Sequence, residues 1–224
     1  VGIPGDSLEV RDGYVYINGK RTVLPERAKP QYFFTVDTGG KKFNQGAIKR
    51  YNIREGYGTN DGKFILNLTD EEAALIRKNP IVKSAIKNID PKGTFNPDIF
   101  PHSPIYKWNN DNFGPIYIPK KGDKIALNEK SIPFYEQIIR RYEHNNFSIA
   151  DNKYYLNGKE ITSYTMQQDY YWMMGDNRQN SLDARTWGYT PFDHVVGKPV
   201  FIWLSWDPSI SIFNFGEKIK SIKW

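Results

Sequence analysis

Two acid–arginine pairs and one hydroxyl crowd into "GDNRQNSLDAR", residues 175–185, where Asp176 stands two residues before Arg178, Asp183 two before Arg185, and Ser181 lies between. A spacing of two puts both members of a pair on one side of an extended or turning chain, within reach of a charge-assisted contact. The flanks, "YYWMM" before and "TWG" after, are apolar enough to tuck the segment against a core. Unpaired charges there would be costly, whereas a paired network is held in a fixed geometry. Such a network suits the support of a catalytic group. The segment holds no nucleophile–base pair of its own. Ser181 has no histidine beside it, and His102, His144 and His194 each stand alone, so neither a Ser-His-Asp triad nor a metal site is expected, and no cofactor.

The elements that must position this segment read mostly as strands. "LEVRDGYVYINGK", residues 8–20, alternates apolar and polar positions around Asp-Gly and Asn-Gly turns, the pattern of one or two hairpins. "QYFFTVDT" at 31–38 and "GKFILNL" at 62–68 are rich in aromatic and branched residues. Helices are few. Thr69 with Glu72 forms a capping-box pattern whose helix stops at Asn79-Pro80, and a second helix is expected after Ser131, with Phe134, Ile138, Ile139 and Tyr142 along one stripe. Residues 88–112, rich in Pro, Asn and Asp, read as a surface loop. "DGYVYINGK" at 12–20 is echoed by "DNKYYLNGK" at 151–159, and "GDSLEV" at 5–10 by "GDKIAL" at 122–127. The echo fits either an old duplication of a β unit or two ordinary Asn-Gly hairpins.

A chain of 224 residues with 39% apolar and 15% aromatic content can build one large domain or two small ones. The net charge of +6 is spread along the chain with acids between the cations, which argues against a nucleic-acid partner. With no cysteine, disulfides, thiolate nucleophiles and cysteine metal sites are all excluded. No apolar run approaches the roughly 18 residues of a membrane span, and "VGIPGD" at 1–6 has no signal-peptide character. A start at Val1 rather than methionine reads as a fragment.

"GDNRQNSLDARTWG" resembles the C-terminal signature of bacterial type I signal peptidases: Gly-Asp-Asn-Arg, two variable residues, Ser, one variable residue, Asp-Ser-Arg, then Trp-Gly. Only Ala184 departs from it, where that family has serine. "VGIPGD" resembles the segment that follows the family's catalytic lysine, and "GYTPFDHVVGKPVFIWLSWD" at 188–207 the strand after the signature. The resemblance implies a mainly β, signal-peptidase-like fold with about two short helices and an accessory β lobe inserted in the middle. Residues 1–20 with 166–224 would form part of the catalytic core, and 21–165 the inserted lobe.

It further implies a membrane-bound serine endopeptidase, on the outer face of the bacterial cytoplasmic membrane, that removes signal peptides from exported preproteins with a Ser/Lys dyad. Ser181 would bond and orient the lysine amine, Asp183 and Arg185 would hold Ser181 and its turn, Asp176 and Arg178 would form an outer ion-pair frame, and Gly175 would give backbone room. Trp203 matches a tryptophan near the membrane-facing surface, and an interfacial role is expected for Trp203 and Trp206. The family's nucleophile lies in an upstream Ser-Met motif and its base in a Lys-Arg pair ahead of "VGIPGD". No Ser-Met pair occurs in these residues and no Lys-Arg pair stands ahead of "VGIPGD", so the chain alone is expected to be inactive. The rival reading is a non-catalytic β-rich module that binds protein or peptide through a strand edge.

Overall fold

A computed structural model describes residues 1–25 and 28–197. Three strands open the chain: β1 (Ser7–Arg11), β2 (Tyr14–Ile17) and β3 (Lys20–Arg21). The turn residues Asp12-Gly13 and Asn18-Gly19 all have positive φ (49°, 79°, 51° and 77°), the backbone twist that a two-residue hairpin needs. A second sheet follows from β4 (Tyr32–Asp37), β5 (Gly56–Gly58), β6 (Lys63–Leu68) and β7 (Ser84–Lys87), in the order β5-β6-β4-β7 and antiparallel throughout. Helix α1 (Gln45–Arg50) precedes β5, and α2 (Asp70–Ile76) follows β6. Thr69 and Glu72 form the expected capping box at α2, whereas α1, capped by Asn44, had no expected counterpart.

Strand β8 (Phe113–Tyr117) returns to the first sheet and pairs with β1, giving β3-β2-β1-β8. Beyond it come β9 (Lys124–Ala126), α3 (Ile132–Gln137) running into a π-helical turn over Ile138–Tyr142, then a meander of β10 (Phe147–Ala150), β11 (Lys153–Leu156) and β12 (Lys159–Ile161). Strand β13 (Ser163–Thr165) pairs with β9, and β14 (Tyr170–Tyr171) pairs across α4 (Ala184–Trp187) with β15 (Thr190–Pro191). The fold is β-rich, as expected, with more short helical pieces than expected.

Two hydrophobic cores result. One gathers Leu8, Val10, Phe100, Phe113, Ile138, Ile139, Trp172 and Tyr189, and the other gathers Tyr32, Phe34, Val36, Leu66, Leu68 and Ile76 across the second sheet and α2. The second core lies within the 21–165 span, while residues of that span from Ile99 to Tyr164 contribute to the first core beside β1 and Trp172.

Residues 88–112 are irregular but not a surface loop. Ile99 and Phe100 are 3% and 2% exposed, with the Phe100 ring 5.8 Å from Trp172 and 5.5 Å from Tyr189. The Asn and Asp side chains make this burial possible by bonding the local backbone: Asn109 Oδ1 accepts from the N–H groups of Asp111 and Asn112, and its Nδ2 donates to Pro91 O. The echoed segments form matching meanders. Asn18 and Asn157 hold the same turn position, each side chain accepting from the N–H that precedes its hairpin, that of Ser7 and of Asn146. "GDKIAL" does not take the place of β1, because β9 pairs with β13 instead.

Residues Val1–Phe192 make one compact unit. A second unit begins at Asp193, where the Asp193 and His194 side chains lie 2.9 Å apart. Trp203 and Trp206 lie outside the described residues. No helix among the described residues is long and apolar enough to cross a membrane.

Candidate functional site

Trp172, fully buried, anchors the entry to the signature loop. Its backbone exchanges two bonds with Gly2, at 2.8 and 3.0 Å, which makes the "VGIPGD" segment and the signature immediate neighbours. After Trp172 the chain leaves the sheet, and the polar string begins at Gly175.

Asp183 is the hub of that string. Its Oδ1 accepts from Arg185 Nε at 2.9 Å and from the Arg185 N–H at 3.1 Å. Its Oδ2 accepts from Arg185 Nη2 at 2.8 Å and from the Gly175 N–H at 3.0 Å. The two side chains are 4% and 2% exposed, so this is a buried bidentate pair, and the same carboxylate caps α4. A buried ion pair is tolerable only when its remaining lone pairs and protons are also satisfied, and here the backbone does most of that. Arg185 Nη1 reaches toward Asn110 O at 3.5 Å, while the Arg185 carbonyl accepts from the Phe100 N–H at 2.8 Å.

The hub draws Gly175 against Ser181. A Cβ at position 175 would stand 2.9 Å from Ser181 Cβ and would overlap its hydroxyl oxygen, so only glycine fits. The Ser181 hydroxyl makes no hydrogen bond to another described residue. It lies on an open cleft of about 520 Å³ that also holds His102, Asn110 and Leu182. His102 shares this cleft rather than standing apart, but its Nδ1 is taken up by Pro97 O at 2.8 Å.

Asp176 and Arg178 do not form the second ion pair. Both backbones bond to Gln31, which donates to Asp176 O at 2.9 Å and accepts from the Arg178 N–H at 3.0 Å. The turn closed by Asn180 N–H to Asn177 O then carries Arg178 inward, to 8% exposure, and leaves Asp176 at the surface. Arg178 Nη1 sits 3.7 Å from Met174 Sδ, and its Nε has no hydrogen-bond partner. Burial pulls the Arg178 pKa below the ordinary arginine value. The guanidinium lines a cavity of about 590 Å³ with Val1, Trp172, Met174 and Asp176. Trp172 Nε1 and Asn177 Oδ1 are likewise buried without partners, so three unpaired polar atoms fall within residues 172–178. No group of three His, Asp or Glu is placed to hold a metal among the described residues.

Sequence reasoning missed Gln179, which sits at a variable position of the signature. Its Oε1 accepts from the Phe33 N–H at 2.6 Å, and its Nε2 donates to Asn88 O at 2.8 Å and to Asp111 Oδ2 at 3.1 Å. This one amide fastens the loop to β4 of the second sheet. Nothing local in the sequence signals it, because all three partners are distant along the chain. Burial raises the pKa of the Asp111 carboxyl that it touches, against the lowering effect of the Asp90 N–H that the carboxylate accepts.

Comparison with known proteins finds signal peptidases among the relatives of this β-rich chain. Residues 117–206 match the family described as "Signal peptidase, peptidase S26". Among curated proteins, the chain is 36% identical over 124 residues to "Signal peptidase I" of Buchnera aphidicola subsp. Acyrthosiphon pisum, a match covering 53% of this chain and 37% of that protein. It is 32% identical over 100 residues to "Signal peptidase I" of Pseudomonas aeruginosa, covering 36% and 31%, and 30% identical over 132 residues to that of Rickettsia typhi, covering 44% and 50%. The chain spans about a third of the length of the first two curated relatives it matches. No solved structure matches. The chain is related to the type I signal peptidases.

Proposed function

We propose that this chain provides the supporting half of a Ser/Lys peptidase site that removes signal peptides from exported preproteins at the outer face of the bacterial cytoplasmic membrane. A lysine acts as a base only when neutral, and its ordinary pKa of about 10.4 falls far enough only in a desolvated site. The serine that it activates attacks the scissile carbonyl to give an acyl-enzyme, which water hydrolyses. Ser181 accepts the position of partner to the lysine amine, Asp183 and Arg185 fix the turn that carries it, and Gly175 admits the close approach. Asp176 and Arg178 act separately, one from the surface and one from the cavity wall. Trp203 and Trp206 meet the membrane surface, and part of the 21–165 span is an accessory lobe.

The observation that carries this reading is the Ser181 hydroxyl, held against Gly175 by a buried hub yet making no hydrogen bond to another described residue. A serine so rigidly supported and so free is placed to bond something else. The 224 residues contain no Ser-Met pair, and this chain by itself is expected not to cleave. The test is cleavage of a signal-peptide substrate by a protein extended ahead of Val1, beside the same protein carrying Ser181→Ala. Cleavage after small residues, sharply reduced in the variant, supports the reading. A folded extended protein that does not cleave would favour the binding-module reading.

A further inference from the structure

The edge of the second sheet carries a feature unrelated to the signature. Strand β5 reads Gly56-Tyr57-Gly58 and is fully exposed at the open side of the sheet. The bonds from Asn67 N–H to Glu55 O and from Thr59 N–H to Lys63 O fix the parity of its pairing with β6. Glu55, Tyr57 and Thr59 therefore direct their backbone groups to β6, and Gly56 and Gly58 direct theirs outward, because the two kinds of pair alternate along an antiparallel ladder. No side chain shields those outward groups. At Gly56 a Cβ would meet Ile65 O at 2.7 Å, so close packing on β6 itself excludes a larger residue there.

Natural sheet edges are usually guarded by charged side chains, proline or a covering element, and Gly56, Tyr57 and Gly58 themselves supply neither a charge nor a proline. Beside it lies a groove of about 350 Å³ whose apolar wall is Phe43, Ile48, Ile53 and Phe64. The segment that forms the groove carries Lys41, Lys42, Lys49, Arg50 and Arg54 against a single acid, Glu55. None of the five cations is in an ion pair with a described residue.

We infer that β5 and this groove form a docking site for an extended peptide segment that turns apolar residues toward the groove and carries acidic residues at its ends, added as a further strand to the sheet. The outward N–H and C=O groups of Gly56 and Gly58 bind its main chain, the groove takes its apolar side chains, and Lys42 and Arg54, which line the groove, select its acids. The site is independent of the peptidase reading and holds equally for an enzyme or a binding module.

The experiment uses the whole 224-residue chain and a fluorescein-labelled decapeptide of alternating valine and threonine with two glutamates at each end, followed by anisotropy, with the same peptide carrying lysines for glutamates and phosphatidylglycerol vesicles as comparisons. The expected result is saturable binding of the glutamate peptide, at least tenfold weaker for the lysine peptide, with protection of the Gly56 and Gly58 amides from hydrogen exchange. Gly58→Pro removes an outward N–H without breaking a ladder bond and should weaken binding at least tenfold. Arg54→Glu, whose side chain makes no bond to β6, should do the same by charge, so the test survives if Gly58→Pro fails to fold. Equal binding of both peptides, indifference to both folded variants, binding of vesicles alone, or no saturable binding would each overturn the inference.

Discussion

Asp183 spends four hydrogen bonds on two partners, Arg185 and Gly175, and so couples a buried charge to the position of a backbone amide. Asp183→Ala would strand Arg185, 2% exposed, without its counter-charge. The expected loss is about 3–5 kcal/mol of unfolding free energy, read from urea denaturation. Ser181→Ala is the contrast. The hydroxyl has no partner among the described residues, so stability should change by no more than about 0.5 kcal/mol while cleavage by the extended protein collapses. A large stability loss would make Ser181 structural.

Asp111 brings in pH. Burial raises its folded-state pKa above the unfolded value of about 3.9, so the folded state holds the proton more tightly. Its contribution to stability is therefore complete below about pH 3.9 and is lost as pH rises through the raised folded value. Asp111→Asn should flatten that part of the profile of urea midpoint against pH, and an unchanged slope would assign it to other groups.

At the scale of elements, the signature loop is fastened from two sides, by the Asp183 hub to α4 and by Gln179 to β4. Gln179→Ala removes the acceptor for the Phe33 N–H and the donor to Asn88 O. A cost of roughly 1–3 kcal/mol is expected from buried groups left unpaired, together with faster amide exchange at Phe33. What the sequence made legible at this scale was local: the Asn-Gly hairpins, the Thr69–Glu72 capping box and the Asp183–Arg185 pair are each written within a few residues. What escaped was distant. Phe100 was hidden in a Pro- and Asn-rich stretch whose side chains satisfy its own backbone, and Gln179 looks like any loop amide until β4 is beside it. Asp176 and Arg178 shared the spacing of the second pair, but a turn between Asn177 and Asn180 separates them, and spacing alone does not encode a turn.

Over the whole molecule, the two cores are joined by hydrogen bonds that include Tyr32 OH to Gly13 O at 3.1 Å, the Gln179 amide and the Gln31 backbone. The second sheet and α2 contain no tryptophan, whereas Trp172 lies in the first core and Trp108 packs against it. With Trp187, Trp203, Trp206 and Trp224 replaced by phenylalanine, tryptophan fluorescence therefore reports unfolding of the first core and far-ultraviolet circular dichroism reports both. In that background the two urea transitions should coincide, and with Gln179→Ala added they should separate, with the dichroism change starting first. Coincident transitions in the variant would mean that the remaining contacts suffice to couple the cores.

The bond between Phe33 and Gln179 joins residues 146 apart in the chain. Synthesis delivers β4 to the ribosome exit long before the loop that will clasp it, and the N–H groups of Gln31 and Phe33 must wait for partners that do not yet exist. Closure across so long a span is slow, because its loop entropy is lost before the contacts repay it. The platform beneath Ser181 is thus among the last parts of the protein to be assembled, and a nascent chain stalled before Asp176 carries a finished second sheet but no site.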